Sequence, residues 1–517
     1  MRKVFFKPIK IGSATALIAV TSFLSYAIGL LRDRIIAINF GASSATDTYN
    51  ASFLIPDFLF NLFIAGALTA AFLPMFTEYL IKDKQQAYKI ANTMLTGAVL
   101  LIAVLAVIAF IFMPSIVPAI FSNTDPEMQQ NIINMTRLIL PSAIIFAISN
   151  TLGNILMSYK HFVAYAISPI LYNLGIILGI SFLHDSMGIY SAAIGVLIGA
   201  TLHAIIRIID ITTTEYKYKP ELATSHPGFK KIIKLMIPKS ISLIAWQINL
   251  YIFAIIGIKL IEGGFAAFNF ARNIQSFAVS LFGIAFATAV FPHLATAVSM
   301  GDKQKYTDHI QKTVQRILFF TIPAMVGVMI LSVQLVELIL SGGVFEKKSI
   351  ELTSVLLFFF AISIPFESLS HIFARSFYAV KNTLTPMIIN VMTMVLIALS
   401  TIFLAPKYGI EWFSIGFSLG FVFYIFFMVL LLKKHLGKID IKSFIFSLLK
   451  TIIATGIMAI AILVTEPLET IVMVKISHIL RVFIGAGTFF LVAFIIKSPE
   501  IGSIKYILGR VFKKNST

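Results

Sequence analysis

Apolar runs longer than an ordinary soluble helix or strand recur from one end of this chain to the other. Fourteen are set off by polar breaks, at residues 11–36, 49–78, 88–113, 130–158, 164–183, 188–210, 238–260, 264–298, 315–340, 352–378, 385–404, 412–432, 445–464 and 476–496. A helix needs about 20 apolar residues to cross a bilayer, and longer runs tilt or project beyond it. Inside a bilayer, backbone groups find partners only within a helix or a closed barrel. A barrel strand needs roughly ten residues with alternating character, so runs of this length predict helices. The expected class is an all-α polytopic membrane protein with about 14 transmembrane helices. Of the 517 residues 58% are hydrophobic and 12% charged, an imbalance foreign to soluble domains.

The net charge of +18 is read first as topology and contact with anionic lipid, not as nucleic-acid binding. Basic residues sort into alternate loops: Lys82, Lys84 and Lys89 after span 2; Lys160 after span 4; Lys217, Lys219, Lys230, Lys231 and Lys234 between spans 6 and 7; Lys303, Lys305, Lys312 and Arg316 after span 8; Lys381 after span 10; Lys433, Lys434, Lys438 and Lys442 after span 12. The tail adds Lys505, Arg510, Lys513 and Lys514. The opposite loops hold Asp125 and Glu127, His184 and Asp185, or Glu466 and Glu469. Both termini are therefore expected in the cytoplasm. Arg2, Lys3, Lys7 and Lys10 mimic a signal-peptide start, but the run behind them is long and is read as a retained first span. Cys is absent, which excludes disulfides, thiol catalysis and Cys-held metals.

The chain also repeats. Lys160 and Pro169-x3-Asn173 recur as Lys381 and Pro386-x3-Asn390. Gly188-Ile189 and Ile194-Gly195 recur as Gly409-Ile410 and Ile415-Gly416, and Leu73-Pro74 as Phe291-Pro292. Two parallel six-helix repeats follow, since six spans return the chain to its starting side. The expected division is an N-lobe at 1–215 (spans 1–6), a C-lobe at 216–435 (spans 7–12), and spans 13–14 with a basic cytoplasmic tail at 436–517. In such repeats the substrate site lies between the halves.

Charge within these spans requires a partner, water or a function. Span 1 places Ser22, Ser25, Gly29 and Arg32 on one face, with Asp33 and Arg34 beside it. Arg32 lies toward the side where a topogenic arginine is not expected. Span 2 carries Asn50, Asp57 and Asn61 on one face, with Pro56 among them. For Asp57 a pair with Arg32 or Arg34 competes with a functional role. For Asp47 a helix cap does so. Span 8 contains Asn269, Arg272, Asn273 and Gln275; span 10 stacks Glu367, His371 and Arg375 at i, i+4 and i+8. That last face is either functional, with Glu367 holding His371 partly protonated, or a structural tie to a neighbouring helix. No phosphate loop, paired-histidine or two-carboxylate metal motif appears, and the loops are short, so an enzyme is not expected.

Three stretches resemble the MurJ/MviN family. They are Gly29-Leu-Leu-Arg32-Asp33 with Phe40-Gly41-Ala42, Ala45-Thr46-Asp47 and Ala70-x-Phe72-x-Pro74; Leu281 to Pro292; and Ala374-Arg375 through Thr385-Pro386. The resemblance covers the whole chain. It implies a flippase of the multidrug/oligosaccharidyl-lipid/polysaccharide exporter superfamily. Such a flippase moves lipid II, the undecaprenyl-diphosphate-linked peptidoglycan precursor, across the bacterial cytoplasmic membrane by alternating access. It implies a cationic cavity for the diphosphate, with Arg32, Asp47 and Arg272 at matching positions and Asn61, Asp57 and Gln275 as further substrate-binding candidates. It also implies a lipid-tail groove at spans 13–14.

The chain departs from the family at Tyr26, Phe60, Asn61, Ala65-Gly66 and Ala271, and has His371 where a fixed base is usual. Fewer strong phosphate donors remain, so lipid II stays open against another lipid-linked oligosaccharide. An exporter of amphipathic drugs or cations and a non-transporting scaffold are the other readings. No cofactor is expected; coupling to a monovalent cation or to membrane potential is, without an assignable site. The expected partners are the lipid-linked glycan and the bilayer, and the expected state is a monomer.

Overall fold

The computed structural model describes residues 11–502 except 64, 123 and 469–472, and leaves out the side chains of residues 11–16, 19, 62–71, 238 and 239. Arg2, Lys3, Lys7, Lys10, Glu469, Lys505, Arg510, Lys513 and Lys514 lie outside the described residues, as do the side chains of Ala65 and Gly66. Among the described residues all regular structure is helical apart from one isolated bridge, Gly342 to Phe345.

In order, the helices are α1 (Ile11–Phe40), α2 (Ser44–Ser52), α3 (Leu54–Phe63), α4 (Ala65–Lys82), α5 (Lys84–Ile120), α6 (Pro126–Ser158), α7 (Val163–Met187), α8 (Tyr190–Ile211), α9 (Pro227–Leu260) and α10 (Gly264–Ala278). A π-helical segment, Val279–Ile284, leads into α11 (Ala285–Ser299), followed by α12 (Lys303–Ile330), α13 (Ser332–Leu340), α14 (Lys347–Ala361), α15 (Ser363–Ala379), α16 (Leu384–Tyr408), α17 (Trp412–Leu432), α18 (Ile441–Val464) and α19 (Val474–Ile495). Among the described residues eleven helices are long and apolar enough to cross a membrane, and the α14–α15 pair, bent by 47°, makes a twelfth if it is one span. The two other apolar runs fall on α1 and on the interrupted series α2–α3–α4.

The interruptions correct the sequence picture of unbroken spans. Span 2 breaks at Phe53, three residues before Pro56; proline has no N–H to give the carbonyl four residues back, that of Ser52, which weakens the helix there. Several lysines placed in loops instead extend the helices: Lys84 and Lys89 lie on α5, Lys230, Lys231 and Lys234 on α9, and Lys303, Lys305 and Lys312 on α12. Asp83 and Asp302 cap two of these extensions through backbone N–H groups at Gln85, Gln86 and Lys305.

The chain divides by packing into two compact units, Met1–Ala266 with Gly342–Glu346, and Ala267–Ser341 with Lys347–Thr517. In the first unit α7 and α8 meet backbone to backbone. A Cβ on Gly175 would overlap Gly199, and one on Gly179 would overlap Gly195. These four glycines form facing Gly-x3-Gly faces. In the second unit the corresponding pair, α16 and α17, starts 221 residues later at its first helix (Val163 and Leu384). There Ser400 faces Gly416 and Ile397 faces Gly420. The Pro-x3-Asn match is offset by 217 residues, one helical turn out of step with those helix starts.

Each unit also ties down the segment that follows its sixth span in the same manner. Asn92, Thr93 and Thr96 of α5 accept the backbone N–H groups of Lys219, Ala223 and Glu221. In the second unit Thr307, Gln304 and Gln311 of α12 accept those of Gly437, Lys438 and Asp440. Polar side chains on the third span of each repeat thus satisfy an extended linker that has no secondary structure of its own.

Candidate functional site

In the first unit, Arg32 sits on α1 with 23% of its side chain exposed. Its Nη2 lies 2.6 Å from Asp33 Oδ1 and its Nη1 donates to Asn173 Oδ1 on α7 at 2.9 Å. Asp33 is thus the neighbouring partner that adjacency suggested. Asn173 was visible in the sequence only as part of the repeat; what it does is orient the guanidinium.

Asp47 is 1% exposed. Its Oδ1 accepts from the backbone N–H of Ala266 at 2.7 Å and its Oδ2 from that of Gly263 at 2.9 Å. The carboxylate therefore caps a helix, but the helix is α10, the start of span 8, and not its own span 2. Helix N-termini present unsatisfied N–H groups and partial positive charge, which a carboxylate answers. Gly263 has φ +74° and a Cβ there would overlap the Ala42 carbonyl, so the close approach demands glycine.

Asp57 is half-buried. It makes no side-chain hydrogen bond or ion pair among the described residues, so the pair with Arg32 or Arg34 weighed from sequence is not formed. Tyr49, Tyr172 and Tyr251 stand within electrostatic range of it. Asn61 Nδ2 reaches Gln247 Oε1 of α9 at 3.4 Å, while Gln247 Nε2 donates to the Leu54 carbonyl beside the span 2 break. Phe60 packs on Phe146, with centroids 5.7 Å apart, and Tyr26 is exposed.

In the second unit the candidates from spans 8 and 10 converge. Arg272 Nη2 donates to Glu367 Oε1 at 2.6 Å and its Nη1 donates to Gln275 Oε1. Gln275 Nε2 donates to Glu367 Oε2 at 3.0 Å and to Ser363 Oγ at 2.9 Å. The guanidinium also lies 4.8 Å over the Phe417 ring, a favourable cation–π placement. Ala271 is fully buried.

Of the two readings of span 10, the bonds formed are those of the tie to a neighbouring helix, and the Glu367–His371 pair is not among them. Glu367 spends both oxygens on Arg272 and Gln275, and the ring of His371 makes no hydrogen bond among the described residues. A bent two-helix span and a carboxylate aimed at span 8 take precedence over the i, i+4 contact. Arg375 in turn donates to Thr288 Oγ1 at 2.9 Å and to the His371 carbonyl at 3.3 Å. Two of the three residues on this face therefore bond to the helices of span 8.

Sequence reading missed a second buried polar cluster in the first unit. Arg207, on α8, donates to Ser168 Oγ, the Ser149 carbonyl and Asn150 Oδ1 at 2.9–3.1 Å. Asp210, one turn on, lies 2.7 Å from His161 Nδ1. The i, i+3 spacing of Arg207 and Asp210 within an apolar run was the available signal.

Two six-span repeats of bent helices, each with a guanidinium held inside a span, define a class of membrane transporter. A solved multidrug resistance MATE family transporter of the MOP superfamily, inward-facing, shares this fold at TM-score 0.67 and 14% identity, over 82% of this chain and 98% of its own. A solved lipid II flippase MurJ in an inward closed conformation fits more closely, at TM-score 0.81 and 24% identity, over 94% of this chain and 100% of its own. The lipid II flippase MurJ of Burkholderia cenocepacia is 26% identical over 416 residues, which is 78% of this chain and 81% of the relative. The family model for lipid II flippase MurJ matches residues 36–484. The chain belongs to the lipid II flippase MurJ family and is a multi-pass protein of the bacterial inner membrane.

Proposed function

We infer that this chain flips lipid II, a polyprenyl-diphosphate-linked glycan, outward across the cytoplasmic membrane by alternating access between two conformations. Family membership over residues 36–484 carries the reading. The geometry supports it, because Arg32 and Arg272 are in-span guanidiniums that keep 23% and 18% of their side chains exposed. Each charge-assisted bond to phosphate is worth about 1.5–3 kcal/mol, or roughly ten- to a hundredfold in affinity.

The reading includes a monomer with both termini in the cytoplasm. It also includes coupling to a monovalent cation or to membrane potential. The test is expression in a strain depleted of its essential lipid II flippase, together with lipid II flipping in vesicles. The wild type should restore growth and flipping. Arg32→Ala and Arg272→Ala should each abolish both while protein remains in the membrane, and Lys should rescue only in part because it lacks the two-pronged geometry. A wild type that flips another lipid-linked oligosaccharide and not lipid II would overturn the substrate. Full activity of both alanine variants would overturn the role of the arginines.

A further inference from the structure

We propose that Glu367 is a positioning residue that stands in for the substrate's phosphate at Arg272, holding the guanidinium until a diphosphate displaces it. The proposal rests on the diphosphate-lipid reading above and adds how the empty site keeps its arginine.

Four observations point to it. First, Arg272 and Glu367 share their pair with a neutral third partner: Nη2 donates to Oε1 at 2.6 Å. The other terminal nitrogen of Arg272 and the other carboxylate oxygen both go to Gln275. A parallel two-pronged pair would be harder to open. Second, the two charged side chains keep some exposure and the two neutral ones keep none. Arg272 and Glu367 keep 18% and 10% side-chain exposure, whereas Gln275 and Ser363 are sealed. Gln275 is therefore a fixed bracket, anchored by Ser363 Oγ at 2.9 Å, that remains when the ion pair opens. Third, Phe417 supports the face of the guanidinium at 4.8 Å. The arginine plane is thus held by contacts that do not depend on which anion it binds. Fourth, Glu367 has somewhere to turn when released: it keeps the Gln275 N–H, and His371, whose ring makes no hydrogen bond among the described residues, lies one turn away on the same face.

The physical logic is charge balance. An arginine alone in an apolar span is costly, so an empty site needs an anion of its own. A carboxylate provides one, and a diphosphate outcompetes it with more charge and more acceptor oxygens. A lipid bearing no phosphate has no such advantage and leaves the pair closed, so the pair also selects for an anionic head.

The test is binding of undecaprenyl diphosphate to the full chain in nanodiscs, with thermal melting and lipid II flipping measured in parallel. Removing the competing carboxylate in Glu367→Gln should tighten binding about two- to fivefold, the scale of a partly exposed ion pair, and slow turnover because product is released less readily. Glu367→Asp, one methylene short of Arg272, should fall between the two. Arg272→Gln should lose binding, and adding Glu367→Gln to it should restore none. A purely structural Glu367 would make both Glu367 variants bind more weakly, and that result, or unchanged affinity, overturns the proposal. If Glu367→Gln does not fold, the Asp variant decides alone: affinity equal to or below wild type sinks the idea. Undiminished binding by Arg272→Gln would instead refute the assignment of the diphosphate to Arg272, whatever Glu367 does.

Discussion

Replacing Asp47 separates a structural from a substrate-binding role at a position where sequence reading left the two in competition. The carboxylate is 1% exposed and accepts two backbone N–H groups, Ala266 at 2.7 Å and Gly263 at 2.9 Å. Asp47→Ala leaves both donors buried without a partner, at about 1–3 kcal/mol each, so roughly 2–6 kcal/mol in total. Asp47→Asn has one acceptor oxygen and can keep only one of the bonds. Its amide would point N–H groups at the other donor, so its loss should be about half that of alanine or more. The assay is the melting of purified protein in detergent, followed by lipid II flipping at a temperature below both transitions. The expected order of stability is wild type, then Asn, then Ala, with flipping falling only in proportion to the protein that remains folded. Melting unchanged in Asp47→Ala, with flipping abolished, would refute the capping account and return Asp47 to direct contact with substrate.

Three further outcomes follow from the packing. Gly199→Ala should destabilise the protein more than Gly420→Ala, because a Cβ at 199 overlaps the Tyr172 carbonyl whereas at 420 it meets the movable Ile397 side chain; thermal melting of the two variants decides. Gly263→Ala should behave like Asp47→Ala, since its φ of +74° and the Ala42 backbone leave no room for a methyl group; equal melting to wild type would refute this. Asn92→Leu removes the acceptor shared by Tyr216 Oη at 2.7 Å and the Lys219 N–H at 3.3 Å. It should speed tryptic cleavage at Lys217, and unchanged cleavage would show that the linker is held by other means.

The helices and the repeat were legible because both are written in period and spacing. Hydropathy fixes where a span must lie, and the 221-residue offset between Gly188 and Gly409 recurs between Val163 and Leu384, the starts of α7 and α16. Pro169 and Pro386 mislead by one turn, since a proline and an asparagine four residues on can match at any register of a helix. The breaks within spans 2 and 8 were less visible. Pro56 announces the first, but nothing in the run from Val279 to Ile284 marks a π-helical turn, which depends on packing. There Gly283 presses on Ser368, with a Cβ at 283 falling 2.6 Å from the Ser368 Cα.

The sign of a cavity cannot be obtained by adding in-span charges, and the residues here show why. Read from sequence, Asp33, Asp47 and Asp57 stand against Arg32, Arg34 and Arg272 with no clear excess. In the folded chain these charges differ in kind. Asp33 neutralises its neighbour Arg32 at 2.6 Å, and Asp47 answers backbone N–H groups of α10. Arg272 is matched by Glu367, an acid 95 residues away that had been assigned to a different partner. Asp57 alone of these acids lacks a side-chain hydrogen bond or ion pair among the described residues. What a phosphate meets is then set by which pairs can open, and that depends on exposure and on the number of prongs. A flippase that must bind a diphosphate and later release it needs guanidiniums whose resting partners are weaker anions than the substrate, close enough to take the arginine back. Asp33 takes two N–H groups of Arg32, Nε at 3.0 Å and Nη2 at 2.6 Å, whereas Glu367 divides its oxygens between Arg272 and Gln275, so the two resting pairs differ in how readily they would open.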